Sequence, residues 1–460
     1  MTLIIVLMLI FGYLLIATGH LTGVNKAAIA MFIGTVGWVV YVCWGEDFVM
    51  KLHAADYMEW LNGQAATSLT VKYFIYDHIF LKYVGSAAAI VMFLVATMSI
   101  VEILGNNGCF DFIAEWIRTR NSKRLLWTIT LATFILSANL DNLTTAMMML
   151  VTMHSIVKNR SQRMLVGAAI VLAANAGGCF TVIGDPIGLV LWGNEAITAT
   201  HFSAYLLLPA LVSWIVPTAL ISRQLPGRLD IEWGVAPYRG NDTRLNRWQR
   251  VMMLFVGIGG LWFIPTFRNI TKLSPFLGAL CVLSVLWVVN EAFNRKLMQA
   301  DQMADRKPQA LQYGAIQQLL FVMGIMLAMG VLTESGVLGD IAEWVFATLQ
   351  ENVWIMGFLS GVLSSLVDTF TVAITNVSFF PVGGEGVFAT NGTYWLVIPF
   401  CTAIGGCLLL VGSTSGIALM QIEQMRLGWY FRHLTWKIFL GFVAGLAVLF
   451  AEMSLWPMLM

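Results

Sequence analysis

Three aspartates stand where a carboxylate is costly: Asp141 within SANLDNLTT (137–145), Asp185 within NAGGCFTVIGDPIG (175–188) and Asp368 within SSLVDTFTV (364–372). Between Arg124 and Lys158 the only charged residue is Asp141, and between Glu351 and Glu385 it is Asp368. An unpaired charge at bilayer depth costs at least about 2.5–3.5 kcal/mol on insertion scales, so such acids are usually functional. Their bland alternative is a protonated or hydrogen-bonded carboxyl that ties a loop down, a reading that suits Asp368 better than the other two. Around the acids lie Asn139, Asn142, Thr144, Thr145, Asn175 and Thr181 in the first half and Thr369, Thr371, Asn376, Ser413, Thr414 and Ser415 in the second. Carboxylate, amide, hydroxyl and freed carbonyl oxygens are what a small hard cation requires. Taken singly, a Ser, Thr or Asn is more readily explained as satisfying helix-end backbone groups. The expectation therefore rests on those beside an aspartate or its repeat counterpart. No Lys or Arg lies inside either cluster, which disfavours a carboxylate, phosphate or other anionic substrate. No metal-ligand cluster or nucleophile–base pair supports catalysis, so neither an enzyme nor a cofactor is expected. Glu102 and Glu291 read as snorkelling or locally paired helix-end residues. His78 and His154 could sense pH, although an interfacial histidine without a role is the simpler reading.

The elements that position these acids follow from composition. With 460 residues, 58% hydrophobic and 11% charged, and a mean hydropathy of +0.78, the chain has too few polar side chains to cover a soluble globule. Lipid is its solvent. Apolar blocks of about 17–25 residues match a hydrocarbon core about 30 Å thick. Spans are predicted near 2–18, 25–44, 84–105, 164–193, 203–222, 249–266, 275–293, 312–333, 394–421 and 434–456. A net charge of +1 and scattered basic residues argue against a nucleic-acid partner. Six cysteines without a C-x-x-C pair imply packing, with neither disulfide nor metal. The N-terminus lacks a basic n-region and an A-x-A site, so it reads as a first span.

Two stretches break the pattern. Each holds 33 residues between its bounding charges, too long for one span and too short for two with a turn. Re-entrant hairpins over about 124–158 and 351–385 fit, with polar tips that protein must shield from lipid. After each comes a span broken by glycine doublets, about 164–193 and 394–421, in which Gly177-Gly178, Pro186 and Gly405-Gly406 interrupt the helical ladder. The two sets match at nearly constant offset. Ile113-Ala114-Glu115-Trp116 matches Ile341-Ala342-Glu343-Trp344, Asp141 matches Asp368, Gly177-Gly178-Cys179 matches Gly405-Gly406-Cys407, and Gly184 matches Gly412. The one informative asymmetry is Asp185, whose counterpart is Ser413. Five spans separate corresponding points, and an odd number inverts the second copy. The expected architecture is an all-α polytopic membrane protein with an inverted 5+5 repeat: 1–222, a cytoplasmic connecting loop 223–248, and 249–460. Lysine and arginine favour the cytoplasmic side. Putting the 106–124 loop inside leaves Lys51, Lys72, Lys82, Arg268 and Lys272 outside and the other 21 of 26 inside, with both termini periplasmic or extracellular.

The segments LSANLDNLTTAMMML (136–150), AANAGGCFTVIGD (173–185) and YWLVIPFCTAIGGCLLLVGSTSGIALMQIEQM (394–425) resemble the NhaD-type sodium/proton antiporters of the ion transporter superfamily. The resemblance runs from about residue 10 to 450. It implies exchange of cytoplasmic Na+ or Li+ for external protons across a bacterial inner membrane, with Asp141, Asn142, Thr144, Thr145, Asn175, Asp185, Asp368, Ser413 and Ser415 functional. Two departures bear on the ion site. Gly184-Asp185-Pro186-Ile187-Gly188 stands where the family usually continues Gly-Asp-Val-Thr-Thr, and Asp368-Thr369 where it has Asp-Asn. The expected mechanism is competition of cation and proton for Asp141 and Asp185, with Asp368, Thr369 and Thr371 tuning or sharing the site, in a homodimer embedded in the bilayer. Its rivals are a permease for an organic acid or oxyanion on the same scaffold, and a non-transporting membrane subunit or enzyme.

Overall fold

A computed structural model of the chain describes residues 2–117, 119–231, 245–298, 314–383 and 385–459. Its principal helices are α1 (Thr2–Ala17), α2 (Lys26–Cys43), α3 (Leu81–Asn106), α4 (Ser122–Ser137), α5 (Asn142–Ile156), α6 (Arg160–Cys179), α7 (Pro186–Gly193), α8 (Ala199–Ser222), α9 (Arg247–Thr271), α10 (Pro275–Met298), α11 (Gly314–Glu334), α12 (Val353–Ser364), α13 (Thr369–Val377), α14 (Thr393–Gly405), α15 (Thr414–Glu423) and α16 (Trp436–Leu459). Seven helical stretches among the described residues are long and apolar enough to cross a membrane. The protein is a multi-pass, all-α membrane protein, as its composition requires. Half of the 223–248 connecting loop and the first residues of the 312–333 span lie outside the described residues.

Burial sorts the helices into two kinds. Every residue of α6 from Leu165 to Cys179 is buried, as is every residue of α14 from Tyr394 to Gly405. By contrast α9 turns Phe255 and Trp262 outward, and α1 turns Leu3, Leu7 and Phe11 outward. Large apolar side chains on the outside are what a lipid-facing belt demands. The core is therefore formed by the broken helices themselves, with α6 packed between α4, α5 and α15, and α14 against α12 and α13.

The predicted breaks are present. α4 ends at Ser137 and α5 starts at Asn142; α6 ends at Cys179 and α7 starts at Pro186. In the second half α12 gives way to α13 across Ser365 to Asp368, and α14 to α15 across Gly406 to Ser413. Packing at the breaks recurs with the sequence offset. Ser137 Oγ donates to Ala174 O, and Ser364 Oγ to Thr402 O. A Cβ on Gly177 would strike the Phe134 carbonyl, and one on Gly405 the Gly361 carbonyl. Only glycine lets these hairpins sit against their broken helices. Residues 228 and 231 pair through their backbones with Asn121 and Val157, the two ends of the α4–α5 unit.

Outside this core, α2 and α11 touch at Gly34 and Gly324, where a Cβ on either would meet the other's backbone. The close approach brings Lys26, at the head of α2, beside Phe321 of α11.

Candidate cation site

Four short helices begin at the breaks, and each is capped by a residue singled out from sequence. Asp141 caps α5, its Oδ2 accepting from Thr144 N at 3.0 Å and Thr144 Oγ1 at 3.1 Å. Asp185 caps α7, accepting from Ile187 N at 3.0 Å on Oδ1. Asp368 caps α13, accepting on Oδ1 from Phe370 N at 3.0 Å and Thr371 N at 3.2 Å, with Thr371 Oγ1 at 3.4 Å. Ser413 caps α15 through Gly416 N at 3.3 Å. A helix start supplies orphan N–H groups and a partial positive charge; here built-in carboxylates already occupy three of the four. Pro186 at the first turn of α7 removes an N–H that would have no partner and pre-sets the backbone. The Pro-Ile-Gly departure is thus a well-formed helix start.

An amide relay joins the halves. Asn142 Nδ2 donates to Asp185 Oδ2 at 3.0 Å and lies 3.3 Å from Asn175 Oδ1. Asn175 Nδ2 in turn faces Ser413 Oγ at 3.0 Å, Ser415 Oγ at 3.3 Å and Cys407 Sγ at 3.0 Å, while Ser413 and Ser415 share a 2.6 Å bond. Asn142, Asn175, Asp185, Ser413 and Ser415 line a cavity of about 30 Å³, closed by Thr369 of α13 and by Gln318 and Phe321 of α11. Such a volume admits about two water-sized occupants. Asp141 and Asp368 both lie within electrostatic reach of Asp185, so the three acids converge although 227 residues separate the first from the last.

Among the described residues, three buried oxygens here have no hydrogen-bond partner: Asp141 Oδ1, Thr145 Oγ1 and Gln318 Oε1. Thr145 follows Asp141 by one helical turn. The Gln318 side chain stands beside Asp141 without a well-formed bond to Oδ1. Unsatisfied buried oxygens are rare and call for an occupant, and all three are of the kind that ligates a hard cation.

The expectation that no Lys or Arg enters either cluster is corrected. Lys26 Nζ lies 2.7 Å from Asp368 Oδ2 and 2.7 Å from Thr414 Oγ1. It is 342 residues from Asp368 in the chain, a distance no local pattern spans. Among the described residues, no Lys, Arg or His pairs with Asp141 or Asp185. Gln318 was also missed, although a glutamine pair inside the apolar run 312–333 was the available signal. Three residues near the acids have structural work. Asn139 donates to Ile135 O, Thr181 links Ala138 O to Gly184 N, and Asn376 bonds Ser360 and Val372. His154 has a partner after all: its Nδ1 is 2.8 Å from buried Glu423, which Arg163 also holds at 2.8 Å, tying α5, α6 and α15 at one end.

Comparison with known proteins agrees with this picture. The family model described as citrate transporter, CitMHS, matches residues 1–381. Two sodium/proton antiporters of Arabidopsis thaliana are similar. Antiporter 1 is 33% identical over 373 residues, 81% of this chain and 63% of that protein, so the chain spans less than two thirds of it. Antiporter 2 is 30% identical over 437 residues, 95% of this chain and 96% of that one. The Na+/H+ antiporter NhaD of Alkalimonas amylolytica is 28% identical over 390 residues, covering 78% and 76%. Among solved structures, the YdaH transporter of Alcanivorax borkumensis shares the fold with a TM-score of 0.54 at 12% identity, over 86% and 90% of the two chains.

Proposed function

Since the chain belongs to the citrate transporter family and is similar over most of its length to named sodium/proton antiporters, we propose that it exchanges Na+ or Li+ for protons by secondary active transport. The observation that carries the reading is the pairing of two buried carboxylates that have no cationic partner among the described residues, Asp141 and Asp185, with unpartnered oxygens at Asp141, Thr145 and Gln318. A site of that kind holds either a small cation or protons, and each displaces the other. Asn142 joins Asp185 to the relay, so that occupancy of the first half is felt at Ser413 and Ser415.

The architecture is an inverted 5+5 repeat in which 124–158 and 351–385 enter the bilayer and return. In support, α13 has 9 residues, about 14 Å of helix at 1.5 Å per residue, far short of a bilayer core. Movement of this hairpin-bearing unit against the remaining helices supplies alternating access. The chain resides as a homodimer in a bacterial inner membrane with both termini outside.

The experiment uses pure protein in liposomes loaded with sodium. Outward sodium flow should acidify the lumen, and lithium should replace sodium. A second reading, uptake of an organic acid, is favoured by the description of the family model and by Lys26. Against it, the cavity is an order of magnitude smaller than pockets for small organic ligands, about 300 Å³ and upward, and the helix-start donors are already taken by aspartates. Citrate accumulation in the same liposomes, with no sodium-driven pH change, would replace the first reading by the second.

A further inference from the structure

The two hairpin aspartates are repeat counterparts with unlike partners. In each, one carboxylate oxygen caps the following half-helix: Oδ2 of Asp141 and Oδ1 of Asp368. The other oxygen of Asp141 is buried and unpartnered. The other oxygen of Asp368 holds the Lys26 ammonium at 2.7 Å. The same ammonium reaches Thr414 Oγ1 of the second broken helix at 2.7 Å and stands 4.4 Å from the centre of the Phe321 ring. Carboxylate, hydroxyl and ring face together account for its donors. The offset that pairs Ser413 with Asp185 pairs Thr414 with Pro186, which has no hydroxyl to offer.

Lys26 also sits against its own helix. It is the first residue of α2, capped by Asn25, where the helix dipole disfavours a cation. The position is held by the partners across the chain and not by local preference.

We propose that the Lys26 ammonium is a tethered cation filling, in the second half, the place a transported cation takes in the first, so that each chain carries one exchangeable cation site and not two. The proposal rests on the exchange reading above and fixes the ion count of that same site. Asp368 then serves as a fixed anchor between hairpin two and α2, and the exchange of partners is confined to Asp141 and Asp185.

The test is equilibrium binding of radioactive sodium to the full-length chain in detergent at alkaline pH. Wild type should bind close to one sodium per chain, Asp141→Asn close to none, and Asp368→Asn still close to one. Lys26→Met should open a second site, raising the count toward two, and Lys26→Met with Asp368→Asn should return it to one. Lys26→Arg keeps the charge and should stay at one. Two sodium ions in wild type with one lost in Asp368→Asn would overturn the proposal, and the Asp368→Asn result decides it even where Lys26→Met fails to fold. A folded Lys26→Met that still binds one would overturn it as well. Sodium binding absent from wild type would instead remove the exchange reading, and the tethered-cation proposal with it.

Discussion

The two halves of the site share a backbone plan and differ in charge. Half one has two aspartates, Asp141 and Asp185, a glutamine oxygen brought by α11, and no described cationic partner. Half two has one aspartate, already paired with Lys26, and a serine where the second acid would stand. Equivalent glycines and serines hold both halves in the same local packing. Matching residues thus mark where the helices stop in both halves, and a few side chains then set the charge of each.

The comparison breaks most sharply at the acids. Asp141→Asn and Asp185→Asn should each reduce sodium-driven proton flux to the level of empty liposomes, because asparagine keeps one oxygen but cannot exchange a proton for a cation. Normal expression and melting alongside that loss would separate lost titration from misfolding. Full activity in either variant would take that residue out of the mechanism.

Gln318→Leu should come next. Removing one neutral oxygen ligand should weaken apparent sodium affinity about tenfold, close to 1.4 kcal/mol, with the maximal flux little changed. Unaltered affinity would show that the unpartnered oxygen of Gln318 faces no ion.

Asp368→Asn should cost only a few-fold in flux, yet lower the melting temperature, since it strands the Lys26 ammonium. Breaking a buried pair from one side costs about 3–5 kcal/mol when both partners are fully buried, and less here because the Lys26 side chain retains 18% exposure. If this variant alone were inactive, the roles of the halves would be reversed. Ser413→Ala should have the smallest effect, about 1 kcal/mol of stability from a lost helix cap and less than a twofold change in flux. An effect as large as that of Asp185→Asn would mean that the two cap positions are functionally equivalent.

Much of this site was legible because lipid leaves few options. A charge in the middle of 33 apolar residues, or a glycine doublet in a span, stands out against a membrane background in a way it would not in a soluble chain. Asp141, Asp185 and Asp368 therefore emerge with their helix breaks, and the need to shield both polar tips from lipid places them inside the protein. Lys26 was not legible. It lies at the head of a span, where a lysine ordinarily marks the membrane surface, and only the fold, through the packing of α2 on α11 and the 2.7 Å contact of Lys26 Nζ with Asp368, shows that this head sits beside the second helix break. Gln318 was hidden differently: a glutamine pair in an apolar run is a weak signal until a neighbour with an unpartnered oxygen appears beside it. The relay from Asn142 through Asn175 to Ser413 and Ser415 was foreseen by residue and not by connection, because its geometry depends on how the two broken helices cross.

The most direct measurement of where the ion sits is an experimental structure of the wild-type chain with thallium(I) standing in for sodium, located by its anomalous scattering. The account predicts a single peak among Asp141 Oδ1, Thr145 Oγ1, Gln318 Oε1 and Asp185, with the Lys26–Asp368 pair intact. A peak between Asp368 and Thr414 with Lys26 displaced, and none beside Asp141, would contradict it.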